Sequence, residues 1–362
     1  MGDSRDTSRW TPRPFQARLI RLAVLVAPIG ASMVFVALVS KVFPAPLGSF
    51  WVYAAWWVLL TGGATAVLIA VDRLARKLLP LAVLFKLSLV FPDQAPSRFR
   101  TALSTRSEGT LAERVAAAKA GQIGTTPVEA AQELLALVGA LDTHDPLTKG
   151  HSDRVRAYSQ MIAEEMSLGD EAVDLLNWAA LLHDIGKLEI PTEILAKEGR
   201  PSEEEWAILR QHPELGDTIV APLRSWLAEW TDAVPQHHER WDGTGYPRGL
   251  AGDQIGLAGR IVAVADVFDV ITSARSYKSA SDSLAGREEI ARHAGTQFDP
   301  RVVRAFLAIS LGRLRFAMGP LSWLSHAPFL GRLPLTPAIG TVSSVLAVAA
   351  GALATGAVAP AI

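Results

Sequence analysis

PVEAAQELLALVGALD, residues 127–142, is the stretch from which the fold is read. Pro127 suits a first helical turn, where its missing N–H costs nothing. Leu134, Leu135, Leu137 and Leu141 follow at helical spacing and make one inward stripe. The same periodicity recurs over 151–166, 170–183, 202–211, 213–229, 258–274, 284–294 and 300–312, and strand-type alternation is scarce. The pattern predicts an all-α domain over 127–318, preceded by a connector and linker over 72–126 with one helical piece near 110–120.

Outside this region the sequence changes character. Residues 22–40, LAVLVAPIGASMVFVALVS, and 49–71, SFWVYAAWWVLLTGGATAVLIAV, carry no charge. At about 1.5 Å per residue each is long enough to cross roughly 30 Å of hydrocarbon. Trp51, Tyr53, Trp56 and Trp57 cluster as an interfacial aromatic belt would. Together they predict a transmembrane helical hairpin over 22–71. Segment 78–91 is too short and too interrupted to span; it lies on the membrane surface or packs as a connector. Residues 319–362 form an apolar segment, predicted to hold a third span over 338–358.

Lys and Arg set the orientation. Arg5, Arg9, Arg13, Arg18 and Arg21 precede the first span, only Lys41 sits between the spans, and Arg73, Arg76 and Lys77 follow the second. The bias toward the inside predicts a cytoplasmic basic N-terminus (1–21) and a cytoplasmic middle region, on a multi-pass protein of the bacterial inner membrane.

Composition narrows the chemistry. The chain has 362 residues, 20% of them charged, net charge −1, 8 His and no Cys. Its mean hydropathy is +0.23, high for a soluble chain of this size. Without Cys there are no disulfides, no Cys-based zinc or iron–sulfur sites and no thiol nucleophile. Near-zero net charge offers no basic field for a nucleic-acid polymer. A metal centre, if present, is built from His and carboxylates.

Such a set exists. WAALLHDIGK, 178–187, places His183 and Asp184 side by side in an apolar run, where burying a charge needs compensation. GHSDRV begins a helix with His151, RQHPELG presents His212, and PQHHERWDGTGYPRGL presents His237 and His238 before a glycine-rich loop. IVAVADVFDVITS sets Asp266 and Asp269 three residues apart on one helix face. N and O donors in this mixture suit iron or manganese at least as well as zinc.

These motifs, with HDIGKLEIP and FDPRVV, occur in an order and spacing that resemble the HD-GYP phosphodiesterases, within the HD metal-dependent phosphohydrolases, over about 127–312. The resemblance implies an HD-type helical bundle. It implies one metal held by His151, His183, Asp184 and Asp266, with Asp184 bridging to a second held by His212, His237 and His238. Lys187, one turn after His183 on the helix, would point toward the site and neutralise phosphate. Arg275 and Lys278 match substrate-contacting positions, and Asp145 and Asp269 are carboxylates that orient ligands or substrate. Asp269 is also the candidate proton carrier. In the loop, Gly243, Gly245 and Pro247 shape a tight turn, Asp242 and Glu239 hold it by hydrogen bonds, and Tyr246 touches substrate, a partner or its own packing. Leu147 stands where some relatives carry a Glu ligand, so two metals are expected.

The implied function is a membrane-anchored phosphodiesterase that hydrolyses cyclic di-GMP to pGpG, and on to GMP, by a two-metal hydroxide mechanism. A non-catalytic cyclic di-GMP receptor or interaction module, and a phosphodiesterase for another cyclic dinucleotide, are the alternatives. The expected partners are the lipid bilayer, a diguanylate cyclase docking on the GYP loop, and a second copy of the chain.

Overall fold

The uncharged runs form helices at both expected places. In the computed structural model, residues 9–46, 48–76, 78–92, 95–104, 111–145, 150–197, 199–273 and 283–318 are described. They divide into two units: 13–86, and 9–12 together with 87–318. The expected third span, together with Arg275, Lys278 and Leu147, lies outside the described residues.

In the first unit α1 (Pro14–Val42) and α2 (Phe50–Arg76) form a hairpin, followed by the short α3 (Leu79–Leu84). Ser32 Oγ donates to the Ala64 carbonyl at 3.2 Å. A Cβ on Gly63 would lie 2.7 Å from the Phe35 ring, so the missing side chain lets the two helices close. Leu25, Val34, Leu38, Trp51 and Leu59 are exposed. A water-soluble hairpin would cover such a face. Both helices are long and apolar enough to cross a membrane by length and composition.

The second unit begins with a strand from each side of the hairpin. β1 (Arg9–Trp10) pairs antiparallel with β2 (Leu89–Val90). Leu87, Leu89 and Phe91 alternate inward and are buried, so this part of 78–91 packs as a connector rather than lying on a membrane surface. Phe91 stacks edge-on against Trp178 at 5.1 Å, and Trp178 Nε1 donates to the Val90 carbonyl at 2.8 Å.

Helices fill the rest: α4 (Arg98–Ser104), α5 (Leu111–Lys119), α6 (Pro127–His144), α7 (His151–Glu165), α8 (Asp170–Leu182), α9 (Thr192–Leu195), α10 (Glu203–Leu209), α11 (His212–Val220), α12 (Arg224–Leu227), α13 (Ala233–Gln236), α14 (Leu257–Thr272), α15 (Ser283–Arg292), α16 (Pro300–Ala308) and α17 (Leu311–Met318). Among the described residues the unit is all-α apart from the two-residue strands and two isolated bridges. Thr126 and Glu129 close a capping box at the start of α6, which fixes where the helix begins. The core lies where α7, α8, α14 and α16 meet, around the rings of Tyr158, Phe268 and Phe306 at 5.1 and 4.9 Å.

Three local expectations change. The continuous helix over 213–229 breaks at Ala221–Leu223 into 3-10 and short α segments. Pro222 has no N–H to give and its ring crowds the preceding turn. The presumed linker contains α4 as well as α5. Lys187 is not on the helix of His183: α8 stops at Leu182, and a 3-10 turn, Ile185–Glu189, carries Lys187.

Candidate metal centre

Five elements converge on one buried cage. His151 is the first residue of α7, after Gly150 in the left-handed region (φ 68°). His183 and Asp184 follow α8, His212 opens α11, His237 and His238 follow α13, and Asp266 and Asp269 lie on α14. His151, His183, Asp184, His212 and His237 are all buried; His238 is half-buried.

Gly186 is what allows the 3-10 turn after α8 to meet α11. A Cβ there would sit 2.0 Å from the His212 carbonyl oxygen and 2.5 Å from the Gly216 amide nitrogen. Only a hydrogen fits, and the close approach carries His212 to Asp184.

The two oxygens of Asp184 face different partners. Oδ2 lies 3.4 Å from His183 Nε2 and 3.7 Å from His151 Nε2. Oδ1 lies 3.4 Å from His212 Nε2 and 3.8 Å from His237 Nε2. Asp266 Oδ1 completes the first side at 3.2 Å from His151 Nε2. Three donor groups, His151 with His183 and Asp266, His183 with Asp184 and His237, and His212 with His237 and His238, each have ligand atoms within 4.8 Å of one another. One carboxylate thus stands between two sets of nitrogens.

The imidazoles are held with their Nε2 atoms facing inward. Nδ1 of His183 donates to the Ala180 carbonyl at 2.8 Å, that of His212 to Leu209 at 2.7 Å, and that of His237 to Val234 at 2.9 Å. A carbonyl only accepts, so each Nδ1 carries the proton and each neutral ring presents a bare lone pair at Nε2. His183 Nε2 is buried with no hydrogen-bond partner, and the Nε2 atoms of His212 and His237 face each other at 3.3 Å. A buried orphan acceptor and two opposed lone pairs are costly unless a cation joins them. The donor set therefore fits a divalent metal pair.

Electrostatics agree for His212, His237 and His238. Burial, then the charge of His238, lowers His212 to about 3. Burial lowers His238 to about 4 and takes His237 well below its ordinary value. These rings are neutral at neutral pH, the form in which an imidazole can hold a metal. Burial also works against a charged His151, but its hydrogen bonds to Asp266 and Asp269 outweigh it and lift the ring to about 9. Burial opposes the charged form of Asp184; the Lys187 charge beside it overcomes this and holds the carboxyl well below the usual range.

The remaining predicted residues fall as follows. Lys187 Nζ lies 2.7 Å from Asp184 Oδ2 and 3.8 Å from buried Asp145. Asp269 is committed on both oxygens: Oδ2 accepts from His151 Nδ1 at 2.7 Å, and Oδ1 from Arg154 Nε at 2.7 Å. In the loop, Glu239 accepts from the Arg248 and Leu250 amides at 2.7 and 3.0 Å, and Asp242 from the Thr244 amide at 3.0 Å. Gly243 has φ 79°, and a Cβ on Gly245 would meet the Arg240 amide at 2.4 Å, so both positions need glycine. The Tyr246–Pro247 bond is cis. Tyr246 stacks on His238 at 4.8 Å and 22°. His144 bonds the Ile190 carbonyl and His293 the Glu289 carbonyl, both structural contacts. Glu189 pairs with Lys119 at 2.9 Å.

Sequence reasoning missed Arg154 and Arg210. Arg154 lies three residues after His151, one helical turn on, and that spacing was its only signal. Arg210 stands over the Tyr246 ring at 5.6 Å, a contact between loops that no local pattern announces.

Residues 136–302 match the family model described as the HD domain. Over 179 residues the chain is 41% identical to a cyclic di-GMP phosphodiesterase of Thermotoga maritima, covering 49% of each protein. It is 38% identical over 177 residues to the cyclic di-GMP phosphodiesterase response regulator RpfG of Xanthomonas campestris pv. campestris, covering 49% of this chain and 47% of that one. It is also 38% identical over 172 residues to 3'3'-cGAMP-specific phosphodiesterase 2 of Vibrio cholerae, covering 47% of this chain and 33% of that one. The chain thus spans a third to a half of the length of these relatives.

Proposed function

We propose that this protein is a membrane-anchored, metal-dependent phosphodiesterase for a guanine-containing cyclic dinucleotide, with cyclic di-GMP as substrate and pGpG, then GMP, as products. The observation that carries this reading is the split of Asp184, with one oxygen toward His151 and His183 and the other toward His212 and His237. That is the arrangement a carboxylate needs to serve two cations at once. Relatives of similar identity are named for cyclic di-GMP and for 3'3'-cGAMP, which supports the cyclic dinucleotide class.

An iron or manganese pair bound there supplies Lewis acidity to the phosphoryl oxygens and an acidified water for attack. His151, His183, Asp184 and Asp266 would hold one ion, and Asp184, His212, His237 and His238 the other. The protein's own residues do the rest. Lys187 holds a positive charge beside Asp184, because the Asp184 and Asp145 charges outweigh the burial that would lower its pKa. Its charge beside Asp184 supports a role in neutralising a phosphate oxygen. Asp269, occupied by His151 and Arg154, acts by orienting His151 rather than by carrying a proton. The cage is buried, which keeps bulk water from competing with the attacking one. Arg275 and Lys278 complete the reading as substrate contacts by their place in the sequence.

The exposed apolar face of α1 and α2 supports a lipid bilayer as the hairpin's partner, with the catalytic unit cytoplasmic by the Lys and Arg bias. The hairpin is also where a second copy would pair, and the loop 242–247 is where a diguanylate cyclase would dock.

The test uses the full chain in detergent or nanodiscs, loaded with Fe(II) or Mn(II) and given cyclic di-GMP. The expected outcome is pGpG release, abolished by Asp184→Ala. Folded, metal-loaded protein that binds the dinucleotide without cutting it would replace the enzyme reading with a receptor.

A further inference from the structure

Arg210 ends α10 just outside the cage. Its backbone amide donates to the Trp206 carbonyl at 2.9 Å, and the carbonyl of its neighbour Leu209 accepts from His212 Nδ1 at 2.7 Å. The residue is therefore tied by its own main chain to a candidate metal ligand. Its guanidinium stands over the Tyr246 ring at 5.6 Å and the Trp206 ring at 5.9 Å. Tyr246 in turn stacks on His238. A column of Trp206, Arg210, Tyr246 and His238 thus leads from the surface into the cage.

The other cations around the cage are committed to carboxylates. Lys187 pairs with Asp184, Arg154 with Asp269, Arg240 with Asp242 and Arg248 with Asp217. Arg210 is exposed, and among the described residues its guanidinium contacts are the two aromatic faces and no carboxylate. Its forked N–H donors remain available to a ligand at the mouth of the site.

We propose that Arg210, backed by Tyr246 and Trp206, is a specificity-determining residue that reads the guanine base of the substrate. The inference rests on the cyclic dinucleotide reading above. A guanidinium matches the adjacent O6 and N7 acceptors of guanine with two parallel hydrogen bonds, whereas adenine replaces O6 with an N–H donor. The flanking aromatic faces carry the guanidinium rather than the base, so the in-plane fork is what distinguishes guanine. The position also suits a base more than the scissile phosphate. Lys187 already stands at Asp184, while Arg210 is separated from His238 of the cage by the Tyr246 ring.

The experiment compares wild type, Arg210→Lys and Arg210→Met in the full, metal-loaded chain, with cyclic di-GMP and cyclic di-AMP as substrates. Both variants are expected to lose about tenfold to a hundredfold in kcat/KM on cyclic di-GMP, mainly through KM. The effect on cyclic di-AMP should be less than about threefold by the same logic. Metal content by elemental analysis should match wild type, since Arg210 is not a ligand. Recovery of wild-type KM by Arg210→Lys, which keeps the charge and loses the fork, would assign the residue to a phosphate and overturn the proposal. Equal losses on both dinucleotides would do the same. A wild-type enzyme that turns over neither would remove the functional reading itself, and the inference with it.

Discussion

Gly186→Ala tests whether the cage depends on the approach of two elements rather than on its ligands alone. The added methyl would lie 2.0 Å from the His212 carbonyl oxygen, 2.5 Å from the Gly216 amide nitrogen and 2.9 Å from the His212 carbonyl carbon, where ordinary contact begins at 3.4 Å. All three neighbours are backbone, so no side chain can swing away. The 3-10 turn and α11 must part by roughly 1 Å or more to restore contact distances. That shift falls on the 3.4 Å separation between Asp184 Oδ1 and His212 Nε2. Overpacking of this kind costs about 1–3 kcal/mol in stability. A misplacement of about 1 Å at reacting groups costs on the order of a hundredfold in rate. The loss should be selective, because His151, His183 and Asp266 do not lie across the widened seam. Elemental analysis of the purified full chain should show metal content falling from two toward one per chain, with turnover reduced about a hundredfold on the same reasoning. A Gly186→Ala protein with wild-type metal content, melting temperature and turnover would refute the view that this contact sets the second half of the cage.

Asp269→Asn removes the charge that orients His151; metal titration should show affinity lower by about 10- to 100-fold, and an unchanged isotherm would contradict its assignment to His151. Glu239→Ala leaves the Arg248 and Leu250 amides without their acceptor and should destabilise the loop by about 1–3 kcal/mol, read as faster hydrogen exchange over 240–251. Asp299 caps α16 through the Arg301 amide at 2.8 Å and pairs with Arg260 at 2.8 Å. Burial opposes its charged form, but the hydrogen bonds to Arg301 and Arg260 hold its pKa below the ordinary carboxylate value. Its contribution to stability is therefore complete above the unfolded-state pKa of about 4 and is lost as pH falls through the lower folded value. Asp299→Asn keeps the cap and should flatten that acid limb in a pH series of melting curves, while Asp299→Ala should also cost about 1 kcal/mol at neutral pH.

Much of the helical layout was legible. Helices predicted over 151–166, 170–183 and 258–274 are observed as His151–Glu165, Asp170–Leu182 and Leu257–Thr272, because each carries a regular apolar stripe. The stretch 213–229 misled because its apolar spacing continues through Pro222, and periodicity says nothing about a missing N–H. The ladder of β1 and β2 was invisible for a different reason. Two-residue strands on either side of a long hairpin, Trp10 with Leu89, have no local pattern to betray them. In the site, the ligand types were readable because a charged Asp beside a His in an apolar run requires compensation. Arg154 and Arg210 were not, since an arginine near a motif looks the same in sequence whether it clamps a carboxylate or waits for a ligand.

The sequence by itself determined the donor chemistry: no Cys, His and Asp in a fixed order, and apolar helices to carry them. It also determined the uncharged hairpin, because a run without charge is visible residue by residue. Tertiary structure decided which oxygen of Asp184 faces which imidazoles, which nitrogen of each ring looks inward, and that Asp269 belongs to His151. Those facts depend on residues up to 118 positions apart meeting within hydrogen-bond distance. Orientation at that scale is fixed by packing between helices, such as the hydrogen-sized gap at Gly186, and not by any residue's neighbours in the chain.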